Sequence, residues 1–131
     1  MTGGGLRTRC RGDGGQSAVE LALVLPLVAL VLLAVVQVGL VVRDQVLVVH
    51  AAREAARQAA VEADPAAPQR VAVAGSGLEG DRLRVDVSGR GAPGSHVRVD
   101  VQYRDPTKVP LVGAALGDLT LKASATMRVE R

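Results

Sequence analysis

From Ser17 to Val42 the only strongly polar side chains are Glu20 and Gln37, and Leu21 to Val42 carries no charge at all. This run limits the chain more than any other feature. A helix rises ~1.5 Å per residue, so a helix over the stretch would be about 39 Å long. The hydrocarbon core of a bilayer needs only ~20 residues. The run therefore predicts a membrane-spanning helix, with membrane lipid as its first partner. A removable secretory signal would show the same basic-then-apolar order, but its apolar region is usually ~7–15 residues. The best small-residue cleavage positions, around Ala51 and Ala52, also lie beyond Arg43 and Asp44. A retained span is the better reading.

The remainder of the 131 residues leaves room for one domain at most. Tyr103 is its only aromatic residue, so its core must be built from Val, Leu and Ala. Aromatic side chains bury the most area and small domains are marginal to begin with. The domain is expected to be weakly stable alone and supported by partners. The net charge is +3, and after residue 43 basic residues are scattered among acidic ones. Without a basic stripe or stacking aromatics, nucleic acid is excluded as a partner. Cys10 is the only cysteine, so no intrachain disulfide forms. It precedes the apolar run, which argues against lipoprotein acylation.

Residues 1–15 form a basic tail, with Arg7, Arg9 and Arg11 among many glycines. Such composition reads as disordered. The Arg11-Gly12-Asp13 triplet resembles an adhesion tripeptide, but a Gly/Arg-rich tail produces it readily by chance. Past the apolar run, Arg43 to Ala63 contains no Gly or Pro. Ala52, Ala55, Ala56, Ala59, Ala60 and Ala63 recur on one helical face, and Ala is the best helix former. That smooth face suits the close approach of another element, or is simply the surface of a high-propensity helix. Asp64-Pro65 and Pro68 end it.

Strand patterns follow. Leu83, Val85 and Val87 alternate with polar residues, as do Val97, Val99, Val101 and Tyr103, and then Leu119 through Val129. Period two means one buried and one wet face. Val71 to Ala74 reads as a short fourth strand. Gly75-Ser76-Gly77 and the segment 89–94 read as turns. The expected fold is α+β and membrane-anchored. A long N-terminal transmembrane helix continues into an amphipathic helix, which packs on a small antiparallel sheet of three or four strands. The expected divisions are a leader over 1–15, a transmembrane helix over 16–42, a helix extension over 43–64 and a β-rich domain over 65–131. The apolar stretch Pro110 to Leu116 suits a cap on the core, a membrane contact or a partner contact, and the sequence does not choose.

No catalytic constellation is present. His50 and His96 lack metal-ligand spacing, no serine sits in a nucleophile elbow, and Gly75-Ser76-Gly77 lacks a phosphate-loop lysine. No enzyme activity, cofactor, metal or small-molecule substrate is expected. Glu20 differs from these. A carboxylate at the centre of a membrane helix costs roughly 2.5–3.5 kcal/mol, and less near the interface. It needs a partner, or a place at headgroup depth.

The neighbours of Glu20 suggest the partner. Gly14-Gly15-Gln16-Ser17-Ala18-Val19-Glu20 runs straight into Leu21-Ala22-Leu23-Val24-Leu25-Pro26-Leu27. A basic leader, a glycine, four residues, a glutamate and an unbroken apolar helix resemble the type IV prepilin signal. With Ala51 to Arg57, the strand Val97 to Tyr103, Pro110-Leu111 and the Ala123 to Glu130 ending, the chain resembles the TadE-like family of pseudopilins. Leu21 departs from the pattern, because many members carry an aromatic residue there. Pro26 matches a common position and permits a kink.

The resemblance implies a minor pilin-like structural component of a tight-adherence pilus assembly or secretion apparatus. Its partners would be a prepilin peptidase and other pilin-like or pilus-assembly subunits. The peptidase would cut between Gly15 and Gln16, and Glu20 of one subunit would pair with the new amine of a neighbour, registering helix against helix. Arg7, Arg9 and Arg11 before the run and Arg43, Arg53 and Arg57 after it leave the positive-inside count tied. The orientation therefore comes from the resemblance: cytoplasmic (inner) membrane, single-pass, N-terminus in the cytoplasm, C-terminal domain outside. The rivals are a type II secretion-type pseudopilin, an extracytoplasmic binding module on an uncleaved anchor, and a membrane-anchored enzyme, for which no residue set can be assigned.

Overall fold

The computed structural model describes residues 1, 13–106, 108 and 112–130. Arg7, Arg9, Cys10, Arg11, Gly12, Pro110 and Leu111 lie outside the described residues, and with them most of the expected leader. The chain divides into two compact units, Met1–Leu33 and Ala34–Arg131.

The described part of the first unit, apart from Met1, is the beginning of helix α1, Asp13–Val61, which is 49 residues long. Leu and Ala favour helix, and no glycine interrupts residues 16–38. Every side chain from Gly15 to Leu32 is exposed. Leu21, Leu25 and Leu27 are each more than 60% exposed, so nothing among the described residues of this unit covers them.

The second unit carries the rest of α1 and everything after it: α2 (Ala67–Ser76), β1 (Leu83–Ser88), β2 (His96–Asp105), α3 (Val112–Leu116) and β3 (Leu119–Arg128). The sheet is antiparallel, in the order β1-β2-β3. Its register sets Leu83, Tyr103 and Leu121 in one row and Val85, Val101 and Ala123 in the next. These inward residues form one core cluster with Val48, Ala51, Ala52, Ala55, Ala56, Ala59 and Ala60 of α1, each 4% exposed or less. The alanine face is therefore a packing face, and five of the six alanines expected on it are buried. Ala63 lies past the helix end and is exposed. Methyl side chains let a helix lie close to a sheet, and burying each valine of β2 contributes about 1.5–3 kcal/mol. Two hydrogen bonds tie α1 to β3 and to the segment just after it. Gln45 Nε2 donates to Lys122 O (3.1 Å), and Glu130 N donates to Ala60 O (3.3 Å).

One expected element is corrected. Residues 71–74 are not a fourth strand but the middle of α2, and the sheet has three strands. A short apolar run cannot tell strand from helix by periodicity. Here the punctuation decides: Pro68 stands in the first turn, and Gly77 closes the helix at φ 68°, a left-handed conformation that glycine adopts freely. Pro68 thus opens a second helix as well as following the first. The segment 112–116, whose role the sequence left open, is the short helix α3.

Candidate functional site

All four residues singled out from the sequence lie on α1. Gly15 and Gln16 are in its first turns, Glu20 one turn further, and Pro26 inside it; all are exposed. Gln16 and Glu20 are four apart and share a helical face. Among the described residues Glu20 makes no ion pair. It is the only acid in a field of exposed Val19, Leu21, Leu23 and Val24. A Cβ added at Gly15 would meet nothing within 4 Å, and Gly15 is not among the glycines with positive φ. Among the described residues neither packing nor backbone conformation requires a glycine there. Pro26 lacks the N–H that would bond one turn back, and its surroundings are exposed apolar side chains. The helix is long and apolar enough to cross a membrane, with none of its most apolar window buried.

The fold also assembles a polar cluster that sequence reasoning missed. Asp44 of α1 and Asp105 at the end of β2 are both 2% exposed. Lys108 Nζ donates to Asp44 Oδ2 at 2.8 Å and stands 3.9 Å from Asp105 Oδ1. Asp105 Oδ1 has no hydrogen-bond partner among the described residues. Burial pushes the Asp105 carboxyl above the ordinary range, and the neighbouring Asp44 adds to the rise. The hydrogen bond to Asp44 holds the Lys108 ammonium above its usual value. Tyr103, one strand position pair below Asp105, is pushed up by burial and then by nearby carboxylates, Glu79 first.

The cluster is a polar clasp between α1 and the end of the sheet. Lys108 and Asp44 are 64 positions apart, so spacing could not reveal them. A weaker signal was present: Asp105 continues the inward series Val97, Val99, Val101, Tyr103, and an acid on the apolar side of a strand demands a partner.

His50 and His96 are both exposed. Among the described residues no group of three or more His, Cys, Asp or Glu is placed to hold a metal ion. In comparison with known proteins, the family model described as TadE-like protein matches residues 15–57. The matched segment lies wholly within α1, so the sheet falls outside it. No curated protein and no solved structure matches the chain.

Proposed function

We propose, from the premise that over residues 15–57 the chain belongs to the TadE-like family, that it is a minor pilin-like subunit of a tight-adherence pilus assembly or secretion apparatus. The observation that carries the reading is the first half of α1. From Gly15 on it exposes Leu and Val on every side, with Glu20 the one carboxylate among residues 15–42. A helix that is apolar all round belongs in a bilayer or in a bundle of like helices. Residues 16–42 cross the inner membrane once, with the N-terminus in the cytoplasm and the sheet domain outside.

A prepilin peptidase removes the leader between Gly15 and Gln16. Support comes from Gly15 itself, since nothing among the described residues explains the glycine. Gly14 and Gly15 lie in the first turn of α1, and glycine lowers helix stability by about 1 kcal/mol relative to alanine. That turn unwinds cheaply to present an extended backbone to the peptidase. The amine released on Gln16 then pairs with Glu20 of a neighbouring subunit. Pairing removes the cost of leaving a carboxylate alone in apolar surroundings and fixes the stagger between helices. Pro26 supplies a bend in the spanning helix.

The test is the first residue of the protein isolated from its native membranes, read by intact mass. A start at Gln16 that reverts to the full-length precursor in Gly15→Ala supports the processing step. An intact precursor in the wild type overturns it and leaves an anchored binding module. The registry role is tested separately with Glu20→Gln, which is expected to be cleaved normally and to fail in assembly. Normal piliation by that variant would remove Glu20 from the mechanism.

A further inference from the structure

The basic residues that are scattered in the sequence do not stay scattered on the sheet. Its outer face, opposite the core, carries Arg84, Gln102 and Lys122 in one cross-strand row. In the next row Arg104 lies opposite Thr120, and the Arg104 N–H donates to the carbonyl of Arg82 (3.1 Å), which extends that row to a third strand position. Asp81, Arg82, Arg84, Gln102, Arg104 and Thr120 line a cleft of about 290 Å³.

Arg82 is neutralised by Glu79 at 2.9 Å. Among the described residues Arg84, Arg104 and Lys122 have no ion pair, and all three are exposed. Further along the same face the charge changes. Asp86 lies opposite Asp100, and Arg98 is held by Asp100. The surplus of positive charge is confined to one end of the sheet.

That end can be placed along α1. The Lys122 carbonyl is held by Gln45, and Asp105, beside Arg104, is joined through Lys108 to Asp44. The uncharged run of α1 ends at Val42. Three residues of helix separate Val42 from Gln45, a rise of about 4.5 Å. Measured along the helix axis, this end of the sheet therefore lies about one helical turn past the end of the apolar run. Arginine guanidinium groups fork onto phosphate oxygens, and lysine adds a mobile point charge.

We propose that Arg84, Arg104 and Lys122 form a site for the phosphate headgroups of anionic phospholipid, which anchors this end of the sheet's outer face at the membrane surface. The inference rests on the reading that residues 16–42 span the bilayer. Gln102 and Thr120 supply neutral hydrogen-bonding groups between the cations, and Asp81 sets the edge of the site by repelling the headgroup there. The occupant is a lipid rather than a soluble anion because this end of the sheet lies just past Val42 along α1, where a spanning helix would leave the hydrocarbon for the headgroups.

The test uses the full chain. Flotation with vesicles of phosphatidylcholine alone reports the spanning helix. Native mass spectrometry of the chain in detergent, with equal phosphatidylglycerol and phosphatidylcholine, reports the site. The wild type is expected to float and to retain phosphatidylglycerol preferentially, with a preference that weakens as salt is raised from about 0.05 to 0.5 M. The triple variant Arg84→Gln/Arg104→Gln/Lys122→Gln is expected to float and to lose the preference by about a hundredfold, each basic residue near an anionic surface being worth about fivefold. Arg84→Lys/Arg104→Lys keeps the charge and is expected to keep most of the preference. Arg98→Gln/Arg128→Gln, at the other end of the face, is expected to leave it intact.

Equal retention of both lipids by a chain that floats overturns the headgroup site and leaves the spanning helix standing. So does a preference that survives the triple variant, or displacement of the lipid by soluble glycerophosphate at equal concentration. Failure to float overturns the span and the site together.

Discussion

The two ends of α1 present opposite surfaces although they belong to one unbroken helix. Residues 15–32 are exposed on every side and rich in Leu and Val. Residues 48–60 bury a stripe of alanine almost completely, using the smallest apolar side chain available. The difference teaches what each surface meets. Small side chains are wanted where a sheet of the same chain lies close, because each added methylene would push the layers apart. Large side chains are wanted where the surroundings are fluid or supplied by other molecules. A continuous exposed apolar surface of this kind marks an interaction site, and the match to the TadE-like family model covers both ends of the helix.

The contrast can be broken from either side. Leu30→Arg puts a charge in the middle of the exposed run, at a cost of about 2.5–3.5 kcal/mol on insertion scales. It is expected to move the chain out of the membrane fraction, as measured by carbonate extraction. Ala55→Leu puts a large side chain where the chain itself supplies the neighbour. It is expected to cost about 1–3 kcal/mol through overpacking, read as a lower thermal midpoint of the full chain in detergent, with membrane extraction unchanged.

A subtler effect lies in the clasp. The Asp105 carboxyl is raised in the folded state by burial and by Asp44, so the folded protein binds that proton more tightly than the unfolded one. Its contribution to stability is present below the ordinary carboxylate value of about 3.9. The contribution fades as pH rises through the raised value, because the unfolded state then binds fewer protons. Thermal midpoints of the wild type are expected to carry this downward component with rising pH. Asp105→Asn is expected to flatten it and to be the more stable of the two at neutral pH. A steeper decline in Asp105→Asn would reverse the assignment.

The smallest expected effect is the sharpest check on the comparison. Leu27 is 62% exposed. Leu27→Ala is expected to leave the thermal midpoint of the sheet domain unchanged. In a packed core the same deletion costs about 2–5 kcal/mol. A loss of that size would mean that the exposed half of α1 is covered by this chain after all.

Much of the fold could be read from local pattern. The alternation in residues 83–87, 97–103 and 119–129 predicted three strands and their inward faces, because the strand period assigns each side chain to a face. The spacing of Ala52, Ala55, Ala56, Ala59 and Ala60 likewise predicted a helical stripe. Over residues 71–74, Val-Ala-Val-Ala satisfies either period, so hydrophobicity alone does not separate strand from helix there. Pro68 and Gly77, which settle the matter, act through backbone geometry and not through hydrophobicity. The Asp44–Lys108–Asp105 clasp was hidden because Asp44 lies on α1, 64 positions from Lys108.

By itself, then, the sequence determined whatever depends on neighbours along the chain: the uncharged run that ends at Val42, the carboxylate set four residues past Gln16, the helix that follows and the inward face of each strand. Tertiary structure alone decided which distant groups meet. It buried the alanine stripe, closed Asp44 and Asp105 around Lys108, and gathered Arg84, Arg104 and Lys122 at one end of the sheet. The reason is physical. Periodicity states which way a side chain points relative to its own backbone, whereas burial and electrostatics depend on the distance to residues that only strand register and helix packing bring near.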